Sequence, residues 1–176
     1  IQHAFNCYIT RFGEENNSNI DINKVEKSEI PNHSLLVGGF PCQDYSVARS
    51  LSKEKGIEGK KGVLFWDIKD VLVEKKSPFV LLENVDRLLK SPANKRGRDF
   101  AVMLKTFHEL GYDVQWRVIN AANYSMPQKR RRVFIFAYKS SSKFANSIDK
   151  NVINLNKDNI FNKTFPVLKI NSFESI

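Results

Sequence analysis

The chain has 176 residues and 41% hydrophobic content, which suits one domain with a real core and gives no reason to expect a second. Its 28 Lys and Arg against 19 Asp and Glu leave a net charge of +9, which favours a polyanionic partner, although a merely basic, Lys/Asn-rich protein would have the same balance. Cys7 and Cys42 lack metal-ligand spacing and imply no disulfide framework, and neither a signal peptide nor a membrane-length apolar run is visible, so a cytoplasmic, metal-free, membrane-free protein is expected.

Ala4, Phe5, Tyr8 and Ile9 recur at helical spacing and predict the end of a helix over residues 1–12, with Cys7 as inert packing near its apolar face. Residues 14–19 are a polar turn, and Ile20-Asp21-Ile22 is a short strand candidate. Leu35 to Val37 is a buried strand that leads to Cys42. Residues 44–61 show little periodicity and read as a long loop, which in a compact domain is usually functional. Val63 to Val73 predicts a helix, and Phe79 to Leu82 a buried strand ending at Glu83-Asn84-Val85. Asp86 to Asn94 is a connector. Phe100, Met103, Leu104, Phe107 and Leu110 form a helical stripe stopped by Gly111. Val114 to Ile119 and Val133 to Ala137 are strands around a turn at Ala121 to Pro127. From Ser140 the composition shifts to Ser, Asn and Lys, and 140–163 reads as a linker or weakly ordered arm.

This order of elements predicts an α/β fold with a mostly parallel sheet. The segments around Cys42 and Glu83 both fall at C-terminal ends of predicted strands, where such sheets place their sites. No Gly-x-Gly-x-x-Gly run exists, which argues against a dinucleotide-dependent oxidoreductase.

Three motifs carry the chemistry. In Gly38-Gly39-Phe40-Pro41-Cys42-Gln43-Asp44-Tyr45-Ser46, a cysteine sits where a strand meets a Gly-rich turn; it is either a nucleophile or a buried structural thiol. In Leu81-Leu82-Glu83-Asn84-Val85, a glutamate ends a strand; it is either a solvated side chain or an acid that an apolar setting would keep protonated. In Pro127-Gln128-Lys129-Arg130-Arg131-Arg132-Val133-Phe134, an extended backbone would project Gln128, Arg130 and Arg132 from one face. A guanidinium there suits a base oxygen or a phosphate, unless the cluster is only a surface strand of a basic protein.

Taken in order, these motifs resemble those of the cytosine-C5 DNA methyltransferases over about residues 1 to 138. The resemblance implies a Rossmann-like S-adenosylmethionine-dependent methyltransferase fold, incomplete at both ends. It implies Cys42 as the nucleophile that adds to cytosine C6, Glu83 as the acid at N3, and Arg130 and Arg132 as the motif arginines, with Arg132 nearer the base. Gln43, Ser46, Arg49 and Gln128 are implied at the DNA, with the loop 44–61 closing over it. Asp21 and Ile22 resemble the pair that contacts the adenine of S-adenosylmethionine, and Pro41 and Leu64 match further cofactor-lining positions. Duplex DNA is the implied partner, with the target base flipped out of the helix.

The family's opening Phe-x-Gly-x-Gly loop, its closing motif and its target-recognition region have no counterpart in the sequence. The expectation is therefore a partial catalytic domain over 1–139 and a linker over 140–176 leading towards a recognition region. A complementary segment would carry the Gly-rich cofactor loop. A bacterial restriction-modification enzyme, acting near the nucleoid, is the expected setting. A transfer-RNA cytosine-C5 methyltransferase and a non-catalytic nucleic-acid-binding remnant, or half of a split enzyme, are the alternatives; the Phe-Pro-Cys-Gln form leans towards DNA.

Overall fold

Alternating apolar residues build a four-stranded sheet in the computed structural model, which describes residues 2–15, 17–40, 64–90, 95–148 and 159–166. Strands β1 (Leu35–Gly39) and β2 (Phe79–Val85) pair in parallel, with Gly39 opposite Glu83. Strand β3 (Tyr112–Asn120) pairs with β4 (Arg131–Lys139), which lies between β2 and β3 and runs antiparallel to both. The order is β1-β2-β4-β3. Three strands therefore point one way and β4 alone opposes them, in keeping with a mostly parallel α/β sheet.

Side chains of successive strand residues leave opposite faces of the sheet. One face carries Val80, Leu82, Val133, Ile135 and Ala137, all buried. Two helices cover it. Helix α2 (Leu64–Lys75) contributes Phe65 and Leu72, and α3 (Arg98–Glu109) contributes Phe100, Met103 and Phe107. Phe65 meets Phe107 edge-on at 5.8 Å, and Phe100 meets Trp116 at 5.1 Å. Each fully buried apolar side chain of this size contributes about 1.5–3 kcal/mol. Helix α3 stops where its stripe predicts. Gly111 takes φ 76° and donates its N–H to the His108 carbonyl at 2.9 Å, the left-handed ending that glycine adopts without strain.

On the opposite face, two pieces of the expected loose arm over 140–163 are ordered, while residues 149–158 lie outside the described residues. Helix α4 (Lys143–Asn146) inserts Phe144 against Phe79, Phe136 and Tyr138, with ring centroids 5.9, 5.6 and 4.9 Å away. Helix α5 (Ile160–Thr164) places Phe161 against Phe134. Ser142 and Asn159 cap these helices through their side-chain oxygens. The polar composition of this stretch hides two aromatic anchors and two caps, each supplying what a short helix needs.

Two expectations near the N-terminus also change. Ile20-Asp21-Ile22 is not a strand. Asp21 Oδ1 accepts the Asn23 N–H at 3.1 Å and starts a 3₁₀ turn over Ile22–Lys24, followed by another over Lys27–Glu29. Helix α1 (Gln2–Phe12) forms as predicted, but it buries none of its residues, so Cys7 is exposed rather than packed. The loop 44–61 lies outside the described residues. Among the described residues no helix is long and apolar enough to cross a membrane.

Candidate active site

The C-terminal rim of the sheet gathers residues distant in sequence. Glu83 stands near the end of β2, and Arg132 enters β4 opposite Val85. The two are diagonal neighbours on one face, and Arg132 Nε donates to Glu83 Oε1 at 2.8 Å. The carboxylate side chain is 37% exposed and the guanidinium 25%. Of the two settings open to Glu83, solvated or apolar, the structure shows the solvated one. An arginine holds the carboxylate, and water reaches both groups. Arg132 also donates to the Arg131 carbonyl at 2.8 Å, which steadies the guanidinium plane. Gly39 on the neighbouring strand lies close by, since a Cβ at that position would be in ordinary contact with Glu83 Oε2 at 3.5 Å.

The other motif residues divide. Arg130 and Gln128 do not extend β4, which begins at Arg131, so the expected single face of Gln128, Arg130 and Arg132 does not form. The Arg130 N–H turns back to the Gln128 carbonyl at 3.0 Å, which folds this stretch into a tight exposed bend. The Arg130 carbonyl accepts the Ala121 N–H at 3.0 Å, tying that bend to the 3₁₀ turn Ala121–Tyr124. Pro41, Cys42, Gln43, Ser46 and Arg49 lie outside the described residues.

Asn84 is a residue that reading the motif alone leaves without a role. It faces away from Glu83, into the core, and is 2% exposed. Its Nδ2 donates to the Phe40 carbonyl at 3.0 Å, and its Oδ1 accepts the Val85 N–H at 2.8 Å. The chain is thus fixed two residues before Cys42 by the immediate neighbour of Glu83. The signal was present in the alternation: Asn84 continues the buried series Val80, Leu82, and a polar residue in such a series needs a specific partner. Asp86 and Arg131 add a second ion pair at 2.8 Å beside the first.

A separate segment, Asp21 to Val25, is tied to α2 through Lys27, which bonds both the Ile22 carbonyl and Asp67. Asp21 is exposed, with its Oδ1 also accepting Asn23 Nδ2 at 2.9 Å; Ile22 and Leu64 are half-buried. A carboxylate, which only accepts, and half-buried apolar side chains are the chemical types that suit an adenine ring, which offers an amino donor and flat apolar faces. Among the described residues no group of His, Cys, Asp or Glu could hold a metal ion.

The family described as "C-5 cytosine-specific DNA methylase" matches residues 1–173. The chain is 53% identical over 171 residues to the type II methyltransferase M.Sau3AI of Staphylococcus aureus, covering 95% of this chain and 42% of that protein. It is 34% identical to the type II methyltransferase M.HhaI of Haemophilus parahaemolyticus, over 82% of this chain and 42% of that one. The chain thus spans less than half the length of these relatives. Among solved structures, the S. pombe Dnmt2 methyltransferase superposes with a TM-score of 0.59 at 18% identity, covering 81% of this chain and 42% of that one. The Entamoeba histolytica methyltransferase EhMeth gives 0.58 at 21% identity, covering 85% and 45%. These two share the fold.

Proposed function

The chain belongs to the C-5 cytosine-specific DNA methylase family, and from that premise we propose that it is the catalytic portion of an enzyme that methylates C5 of cytosine in duplex DNA. The observation that supports this reading most is the Glu83–Arg132 ion pair, which joins two motifs 49 positions apart at the rim where β1, the strand that precedes Cys42 in sequence, also ends.

The chemistry assigned to the chain is covalent catalysis. The Cys42 thiolate forms a bond to C6, and the ring's electron pair moves so that C5 becomes nucleophilic. Negative charge gathers on N3 and O2 as this happens. Glu83, which water reaches, would take up a proton from solvent and share it with N3, and Arg132, already held against Glu83, would offer its remaining N–H groups to O2. S-adenosylmethionine, when bound, supplies the electrophilic methyl group that C5 accepts. Transfer of the C5 proton to a water molecule then restores the C5–C6 double bond and expels the Cys42 thiolate. Asp21, Ile22, Pro41 and Leu64 would hold the cofactor. Gln43, Ser46, Arg49, Gln128 and Arg130 would hold the DNA, with the excess of basic residues supplying phosphate contacts. The base must leave the helix to reach the rim.

The relatives' names, type II methyltransferases, support a restriction-modification setting, and we propose the bacterial cytoplasm, near the nucleoid, as the place where such an enzyme acts. We assign residues 1–139 to the partial catalytic domain and 140–176 to a connection towards a recognition region, with the Gly-rich cofactor loop supplied by a further segment. The test is methyl transfer by the full-length protein to duplex DNA and to transfer RNA. Duplex-dependent incorporation at C5 that drops by about 100-fold or more in Glu83→Gln, with duplex affinity retained, is the expected result. Transfer to RNA alone, or equal losses of chemistry and binding in Glu83→Gln, would overturn it.

A further inference from the structure

The segment with Asp21 and Ile22 is bolted to α2 by two lysines that no motif singles out. Lys27 Nζ donates to the Ile22 carbonyl, to the Val25 carbonyl at 3.3 Å and to Asp67 Oδ1 at 3.1 Å. Both charged side chains are largely withdrawn from water, at 17% and 12% exposure. Lys75, at the far end of the same helix, donates to the Ser28 carbonyl at 2.7 Å. Asp67 follows Leu64 by one helical turn, so both project from one side of α2. The ammonium of Lys27 therefore has its three donors committed. Two close the Ile22–Val25 turn, and one fastens that turn to the helix that carries Leu64.

We propose that Lys27 is a positioning residue for the cofactor, and that its bond to Asp67 sets the Asp21–Ile22 turn against the Leu64 wall. This rests on the reading of Asp21, Ile22 and Leu64 as the adenine site. A surface ion pair would contribute little, but this one is mostly buried and engages the backbone of Ile22 itself. Lys27 needs no contact with the adenine to act. Without it the turn keeps its own backbone bonds, Lys24 N–H to Asp21 O and Val25 N–H to Ile22 O, and loses its fixed position relative to the helix.

The experiment uses the full-length protein and S-adenosylhomocysteine as the probe, with binding measured by calorimetry. Thermal midpoint and duplex DNA affinity are followed in parallel. Lys27→Met should weaken S-adenosylhomocysteine binding by about tenfold or more, because small displacements of a positioning group are costly. Duplex affinity should stay within about twofold, since a local shift does not touch phosphate contacts. Lys27→Arg, which keeps charge and donors, should recover most of the affinity. The double variant Lys27→Met with Asp67→Leu removes both charges, so it leaves no buried carboxylate unpaired; it should melt near the parent and still bind the probe weakly. Parent-like binding by that double variant would reduce the pair to a structural role and overturn the inference. Parallel loss of probe binding, duplex binding and thermal midpoint in every variant would overturn it too. Asp21→Ala separates the two levels. If Asp21→Ala weakens binding while the double variant does not, the positioning role alone fails. If Asp21→Ala leaves binding unchanged, or the parent does not bind, the adenine-site reading fails and this inference with it.

Discussion

Glu83 and Asn84 are adjacent in sequence and opposite in duty. Glu83 faces the rim and carries Arg132, whereas Asn84 faces the core and carries the Phe40 carbonyl. Strand alternation makes this division automatic, because neighbours in a strand leave opposite faces. This dipeptide thus places the proposed acid and fixes the chain two residues before the proposed nucleophile. Asn84→Ala should cost about 1–3 kcal/mol, since it leaves a buried carbonyl without its donor. It should also slow covalent adduct formation on DNA at unchanged duplex affinity. A fall in thermal midpoint with an unchanged adduct rate would show Asn84 to be a packing residue only. Asn84→Asp keeps the shape but removes the donor, so its adduct rate should be at least as poor as that of Asn84→Ala.

At the scale of elements, β3 is tied to the start of β2 by a buried hydroxyl. Tyr112 donates to the Ser77 carbonyl at 2.6 Å, and burial pushes its pKa from 10.0 to about 12. The folded state therefore keeps the phenol proton at pH values where the unfolded chain releases it. The resulting stability is fully present below pH 10 and is lost as the pH rises towards 12. Tyr112→Phe should lower neutral stability by about 0.5–1.5 kcal/mol and flatten the alkaline loss between those limits, as read from urea unfolding at a series of pH values. An alkaline limb as steep as the parent's would assign that loss to other groups.

The strands were legible in the sequence because apolar alternation and position agree. Val80, Leu82, Val133 and Ile135 are buried where the pattern places them. The helix stripe through Phe100, Met103 and Phe107 is equally direct, and Gly111 ends it. Three features were not legible. Asp21 looks like part of a strand between two isoleucines until its side chain is seen capping a turn. Phe144 and Phe161 lie in polar surroundings, and their burial depends on an aromatic face of the sheet contributed by Phe79, Phe134 and Phe136. The bend at Gln128 to Arg130 depends on backbone bonds, which residue types alone do not specify. In the site, Glu83 and Arg132 were legible as motif members. Their direct bond was not, because it follows from the antiparallel register of β2 and β4.

At the scale of the whole molecule, the sheet order brings the ends of β1 and β2 and the beginning of β4 to one rim. The three motifs, separated by some 40 to 50 residues in sequence, all reach it. Placing the antiparallel β4 between β2 and β3 is what delivers Arg132 to Glu83, since a parallel strand there would carry its first residues to the other end of the sheet. The chain spans 42% of the length of the Staphylococcus aureus relative it matches. The central claim is that Cys42 is the nucleophile that this rim serves. The most direct measurement is intact-protein mass after incubation with duplex DNA that carries 5-azacytosine at the target position, with Cys42→Ala as the control. The account predicts a protein–DNA adduct that the substitution abolishes. An adduct that persists in Cys42→Ala, or none from a full-length protein that binds the duplex, would contradict it.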